Sequence, residues 1–146
     1  LDQLGELIGP VQLIRMDVEG AEASILGLGA SQYLQKLSRG AVIFLEVHSD
    51  EYDDSNDMAG TLRSLWVMGF DLATVVSAQT EPDSIFSELD LVPKRWFRYG
   101  THSRALYSVE DFEILVTLVT AVPKVVRYLI LRKSSGSGRR FAAGDV

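Results

Sequence analysis

The residues of this chain best placed for chemistry stand where two apolar runs end. In Leu13-Ile14-Arg15-Met16-Asp17-Val18-Glu19-Gly20-Ala21-Glu22 an apolar run breaks into two carboxylates spaced two apart, a glycine and a third carboxylate. The pattern recurs where Ala41-Val42-Ile43-Phe44-Leu45 runs into Glu46-Val47-His48-Ser49-Asp50. Open α/β sheets carry their ligand chemistry at the carboxyl ends of strands, so both stretches read as buried strands opening onto one polar site. Glu46 and His48 lie two apart, which on a strand puts them on one face. A carboxylate or imidazole there can accept a proton from a hydroxyl, or bind a cation that acidifies it. His48 is the candidate general base, because histidine ordinarily changes protonation near neutrality. Asp17 is a candidate ligand contact, against the alternative of a carboxylate satisfied by nearby turn amides. Glu19 is either a second contact or a complement to the positive start of the next helix. Gly20 permits a tight turn or a close backbone approach. Glu22 reads as a first-turn complement to the helix dipole, and His102 as a surface residue.

Asp17, Glu19, Glu46 and His48 offer oxygen and imidazole ligands of the kind that suit Mg²⁺ or Mn²⁺. Their spacing does not demand an ion, so a divalent metal is possible but not required and no metal ligand is assigned. The run Asp53-Asp54-Ser55-Asn56-Asp57 looks like the start of a calcium loop, but Met58 stands where glycine is required and Ser64 where the bidentate glutamate belongs. A solvated acidic loop is the better reading. The chain has no cysteine, which excludes disulfides and thiolate metal sites.

The elements that would position these groups follow from apolar rhythm and turn residues. Residues 2–8 read as a helix stopped at Gly9-Pro10. The run from Val11 to Met16 reads as an interior strand covered on both faces. Ala21 to Leu37 reads as one or two helical pieces broken near Gly27 and Gly29, and Ala41 to Val47 as the second strand. Asp57 is placed to cap a helix from Met58 to Met68. Leu72 to Val76 reads as a third strand and Ala105 to Val109 as an edge strand, while 77–103 show no clear pattern. Phe112, Leu115, Leu118, Val119, Val122, Val125, Val126, Leu129 and Ile130 follow a helical rhythm, predicting a helix over 111–132 kinked at Pro123. Strand–helix–strand–helix–strand is an α/β order with mainly parallel strands.

The charge is uneven. Residues 1–123 carry a net −11 and residues 124–146 a net +5. An acidic body argues against nucleic-acid binding, which needs a positive surface. The basic end fits helix-terminus electrostatics, or contact with a membrane surface or acidic partner. The segment from Ile114 to Pro123 is too short an uncharged run to span a bilayer, so core packing is favoured over an amphipathic helix lying on a membrane.

The opening Leu1-Asp2-Gln3-Leu4, the Asp17-Val18-Glu19-Gly20-Ala21-Glu22 string and the later Leu45-Glu46-Val47-His48, in this order, resemble the FkbM family of methyltransferases. The resemblance covers 1–52 well and 53–76 in pattern. It implies an S-adenosylmethionine-dependent O-methyltransferase acting on a hydroxyl of a sugar or natural-product-like small molecule, and a cytoplasmic protein. From their strand-end positions Asp17, Glu46 and His48 are expected to be catalytic, lining the acceptor side, and Asp17, Glu19 and Gly20 to approach the cofactor. The implied fold is α/β: the carboxyl-terminal half of a Rossmann-like, mainly parallel sheet flanked by helices, plus a C-terminal amphipathic helix. Residues 1–109 would be the partial methyltransferase domain, 110–133 the C-terminal helix and 134–146 a flexible basic tail. The family's glycine-rich loop would precede Leu1, since no Gly-x-Gly-x-x-Gly or phosphate loop stands in these residues. The chain alone is then expected to be inactive. Two other readings stand beside this one: a non-catalytic Rossmann-like binding or scaffold module, and a metal-dependent hydrolase or transferase.

Overall fold

The computed structural model describes residues 2–27, 30–79 and 84–134. In chain order the elements are α1 (Asp2–Ile8), β1 (Leu13–Met16), α2 (Glu22–Gly27), α3 (Ser31–Lys36), β2 (Val42–Glu46), α4 (Met58–Val67) and β3 (Leu72–Ser77). There follow α5 (Ser84–Glu88), β4 (Arg95–Tyr99), β5 (His102–Val109), α6 (Phe112–Val119) and β6 (Val126–Arg132). A single 3-10 turn, Ser49–Glu51, sits just beyond β2.

Six strands form one sheet in the order β1-β2-β6-β3-β5-β4. Helices flank it, so the α/β expectation holds in its coarse form. The expectation of a mainly parallel sheet does not. Only β1 and β2 are parallel; β6 runs antiparallel to β2 and β3, and β5 antiparallel to β3 and β4. Strand β1 is an edge rather than an interior strand, with burial alternating along Leu13–Met16 and Leu13 more than half exposed. The Ala105–Val109 stretch is longer than expected and internal, because β4 covers its other side. Strand β4 is the far edge, and its exposed Arg95 and Arg98 put charge where an open edge would otherwise invite pairing.

The larger correction concerns 110–133. The helix stops at Val119, and 126–132 form the strand that inserts between β2 and β3. Pro123 removes a helical donor and disfavours helix in the residue before it. Beyond it, Val125-Val126-Arg127-Tyr128-Leu129-Ile130-Leu131 is β-branched, aromatic and nearly continuous in apolar character, as a strand covered on both faces should be. A short apolar run of this kind satisfies helical and strand periodicity alike, and here the sheet decides. The segment expected as one core-packing helix, with a helix lying on a membrane as the alternative, is thus a helix to Val119 and a central strand from Val126. Among the described residues no helix is long and apolar enough to cross a membrane. Most of the tail assigned to 134–146 lies outside the described residues.

One hydrophobic cluster joins the sheet to its helices, from Ile14 and Met16 on β1 through Ile43, Leu45, Val75, Leu129 and Leu131 to Leu26, Leu62, Leu65 and Leu115 on the helices. Phe86 stacks on Tyr107 at 4.4 Å, and Trp66 meets Phe112 edge-on at 5.5 Å, the offset and T-shaped contacts aromatic pairs favour. Asp57 caps α4 as its position predicts, accepting from the Gly60 amide at 2.7 Å. Asp111 caps α6 through the Glu113 and Ile114 amides.

Candidate functional site

Parallel pairing of β1 with β2 brings their carboxyl ends to one edge of the sheet. The register pairs Met16 with Leu45, so Asp17 emerges level with Glu46. His48 follows two residues on. Oxygen atoms of Asp17 and Glu46 and a ring nitrogen of His48 all lie within 4.8 Å of one another. The three residues read as catalytic from the sequence therefore meet in space. Asp17 is exposed, Glu46 is 9% exposed and the His48 side chain 13% exposed. A shallow depression of about 380 Å³, lined by Arg15, Met16, Asp17 and Val18, opens beside them.

His48 is held from behind. Its Nδ1 lies 2.9 Å from Oε1 of Glu22, whose side chain is fully buried. The same oxygen accepts the Val18 amide at 3.3 Å, and Oε2 accepts the Tyr52 hydroxyl at 3.4 Å. The Tyr52 oxygen in turn accepts the His48 amide at 3.1 Å. Burial, with the Glu22 charge added, pushes the Tyr52 phenol well above its ordinary value, so it stays a hydroxyl donor to Glu22. The outer ring nitrogen, Nε2, faces Oε2 of exposed Glu19 at 3.5 Å. A buried carboxylate fixing Nδ1 leaves Nε2 as the working atom, an arrangement that sets both tautomer and ring orientation.

The two acidic loops are clamped together. The Asn56 side-chain amide donates to the Gly20 and Glu51 carbonyls, each at 2.7 Å, and its oxygen accepts from Ser24 Oγ at 3.2 Å. Gly20, at φ 97°, turns the backbone where a Cβ would sit 2.5 Å from Cβ of Glu51. Its bare Cα thus admits the neighbouring loop, the close backbone approach the sequence suggested, here made by Glu51. Glu19 also takes a left-handed φ of 50°. The Asp53 carboxylate accepts from the Ser55 amide and hydroxyl and the Asn56 amide, which holds its pKa below the ordinary value and shapes the loop without an ion.

Strand β6 and the turn that leads into it supply the cations. Arg127 pairs with Glu46 Oε1, and Lys124 Nζ donates to the Val47 carbonyl at 2.9 Å. The Arg127 guanidinium binds its proton more firmly than usual, first through a side-chain hydrogen bond with Tyr128 and then through the charges of Glu46 and Asp17, against the effect of burial.

Residues 1–72 match the methyltransferase FkbM domain. Neither a curated protein nor a solved structure gives a significant match to the chain. The FkbM segment contains every residue of the acidic strand ends, from Asp17 to His48, together with Tyr52 and Asn56. Arg127 and Lys124 come from beyond it. Sequence reasoning missed these two because it put them on a helix. It also missed the part Glu22 plays toward His48, whose partner stands 26 residues away. No local pattern separates a first-turn glutamate facing solvent from one facing inward. Asn56 carried a signal only as a turn-former in a polar loop.

Proposed function

We propose that the chain forms part of an S-adenosylmethionine-dependent O-methyltransferase whose acceptor is a hydroxyl on a sugar or natural-product-like small molecule. The observation that carries this reading is the buried Glu22 carboxylate 2.9 Å from Nδ1 of His48, beside Asp17 and Glu46 and within the FkbM segment. Methyl transfer to a hydroxyl needs the oxygen held in line at near-attack distance and its proton removed. Asp17 and Glu46 accept hydrogen bonds and orient the acceptor. His48, with its tautomer set by Glu22, would receive the hydroxyl proton at Nε2. S-adenosylmethionine, when bound, supplies the electrophilic methyl group.

The residues present fit that cofactor on one side only. The depression along β1 is shallow, and the chain carries no glycine-rich loop after a strand to receive an adenosine. The openness of this cleft is what favours the second reading, a non-catalytic binding module. Calorimetry with S-adenosylmethionine on this chain and on an amino-terminally extended form separates the two. Binding by the extended form, followed by transfer of labelled methyl to a hydroxyl acceptor, is the expected result. Absence of binding by both forms refutes the methyltransferase reading.

A further inference from the structure

We propose that Asp17, Glu46 and His48 bind a divalent cation of the Mn²⁺ or Mg²⁺ class. The inference rests on the O-methyltransfer reading for its purpose, which is to acidify the acceptor hydroxyl, but not for the binding itself. Two ligands on opposite sides of such an ion, each at about 2.1 Å, are about 4.2 Å apart. Three ligand atoms within 4.8 Å of one another thus already approach one coordination sphere. Two carboxylates and one imidazole suit Mn²⁺ better than zinc, whose structural sites prefer thiolate and several histidines.

The second support is the shell behind the ligands. A histidine that binds a metal through one nitrogen nearly always gives its other N–H to a carboxylate or carbonyl. Glu22 makes that contact with Nδ1 of His48 from a fully buried position. With the proton on Nδ1, the Nε2 lone pair faces the Glu19 carboxylate at 3.5 Å, and Asp17 and Glu46 add further acceptor oxygens. The carboxylate oxygens gathered around that nitrogen favour a cation. Arg127 meets part of that demand at Oε1 of Glu46. The metal's remaining positions would take water or the acceptor oxygen, whose O–H bond breaks more readily once the oxygen is bound; Nε2 is then a ligand in place of a base, and the proton passes to water.

The test is Mn²⁺ alone, added to the intact chain without S-adenosylmethionine. The protein has two histidines, so imidazole NMR signals give a probe and an internal control in one spectrum. His102 lies on β5, three strand spacings from β2, or about 14 Å. Substoichiometric Mn²⁺ should broaden the His48 ring signals and spare those of His102. Asp17→Asn, at an exposed position where folding is undisturbed, should weaken Mn²⁺ binding at least tenfold. Asp53→Asn, in the neighbouring acidic loop, should leave it unchanged. Equal broadening of both histidines, or none, overturns the inference, as does an imidazolium at His48 that persists in the presence of Mn²⁺. Selective binding without any methyl transfer by the extended protein supports the metal site and sinks the methyltransferase reading. Transfer that survives chelation, with His48 untouched by Mn²⁺, does the reverse.

Discussion

Replacing Glu22 tests whether the carboxylate positions His48 or merely complements a helix dipole. It is fully buried and accepts from His48 Nδ1 at 2.9 Å, the Val18 amide at 3.3 Å and the Tyr52 hydroxyl at 3.4 Å. Alanine removes the acceptor for all three donors. Leaving buried donors beside a lost ionic partner costs about 3–5 kcal/mol. Glutamine keeps the volume and one acceptor oxygen, and turns its amide toward a hydroxyl that can accept. Only the charge assistance goes, which is the gap between hydrogen bonds to charged and neutral groups, about 1 kcal/mol. Urea unfolding should therefore rank wild type above Glu22→Gln, and Glu22→Gln well above Glu22→Ala. With a urea dependence of roughly 2 kcal/mol per molar, the alanine variant should unfold at least about 1 M earlier. Imidazole NMR adds a positional readout: Glu22→Ala should release His48 from its Nδ1–H tautomer while His102 stays unchanged. A dipole complement predicts something different, namely equal losses of about 0.3–1 kcal/mol for both substitutions. Equal small losses with an unmoved tautomer would refute the positioning role.

Three further outcomes follow from neighbouring contacts. Arg127→Met strands the mostly buried Glu46 and should cost about 1.5–3 kcal/mol, and adding Glu46→Gln should return part of that loss in a double-mutant cycle read by urea unfolding. Asn56→Ala breaks a 2.7 Å bond to the Gly20 carbonyl across the loops and a 2.7 Å bond to the Glu51 carbonyl within its own, so hydrogen exchange should quicken across 17–22 and 49–57 while β3 and β5 keep their protection. Burial raises the Tyr107 phenol above its ordinary value, so the folded state holds that proton more tightly than the unfolded one. Its stabilisation is complete below the unfolded value near pH 10 and is lost as pH rises toward the folded value, by at most about 1.4 kcal/mol per pH unit. Tyr107→Phe should flatten that alkaline slope, and an unchanged slope would show that the phenol titrates normally.

The meeting of Asp17, Glu46 and His48 was legible because it depends on local signals. Apolar runs mark strands, acids mark their ends, and two strands joined by a helical crossover run parallel. What escaped depends on partners remote in sequence. Val125 to Leu131 repeats apolar residues often enough to satisfy a helix, and only the gap between β2 and β3 makes it a strand. Misreading that segment hid Arg127 and Lys124, whose charges reach the site only because β6 runs back against β2. The alternation along Leu13–Met16 was hidden for another reason. Leu13 and Arg15 both lie on the exposed side, and an exposed leucine reads as core until the sheet order shows an edge.

The basic end of the chain also changes meaning once β6 is in place. Read from sequence, its net positive charge was open to a membrane surface or an acidic partner. In the fold, three of its side chains turn inward. Lys124 donates to the Val47 carbonyl, Arg127 pairs with Glu46, and Lys133 donates to the Leu34 and Gln35 carbonyls near the end of α3. The last is where a helix welcomes a cation. Of the four basic side chains described at this end, three are thus satisfied within the fold. At the strand ends the two buried carboxylates each have a partner, Glu46 in Arg127 and Glu22 in His48, while Asp17 and Glu19 stand in solvent beside them. Imidazole and oxygen donors already converge there, so a divalent cation held by the folded chain should raise the unfolding midpoint as well as occupy His48.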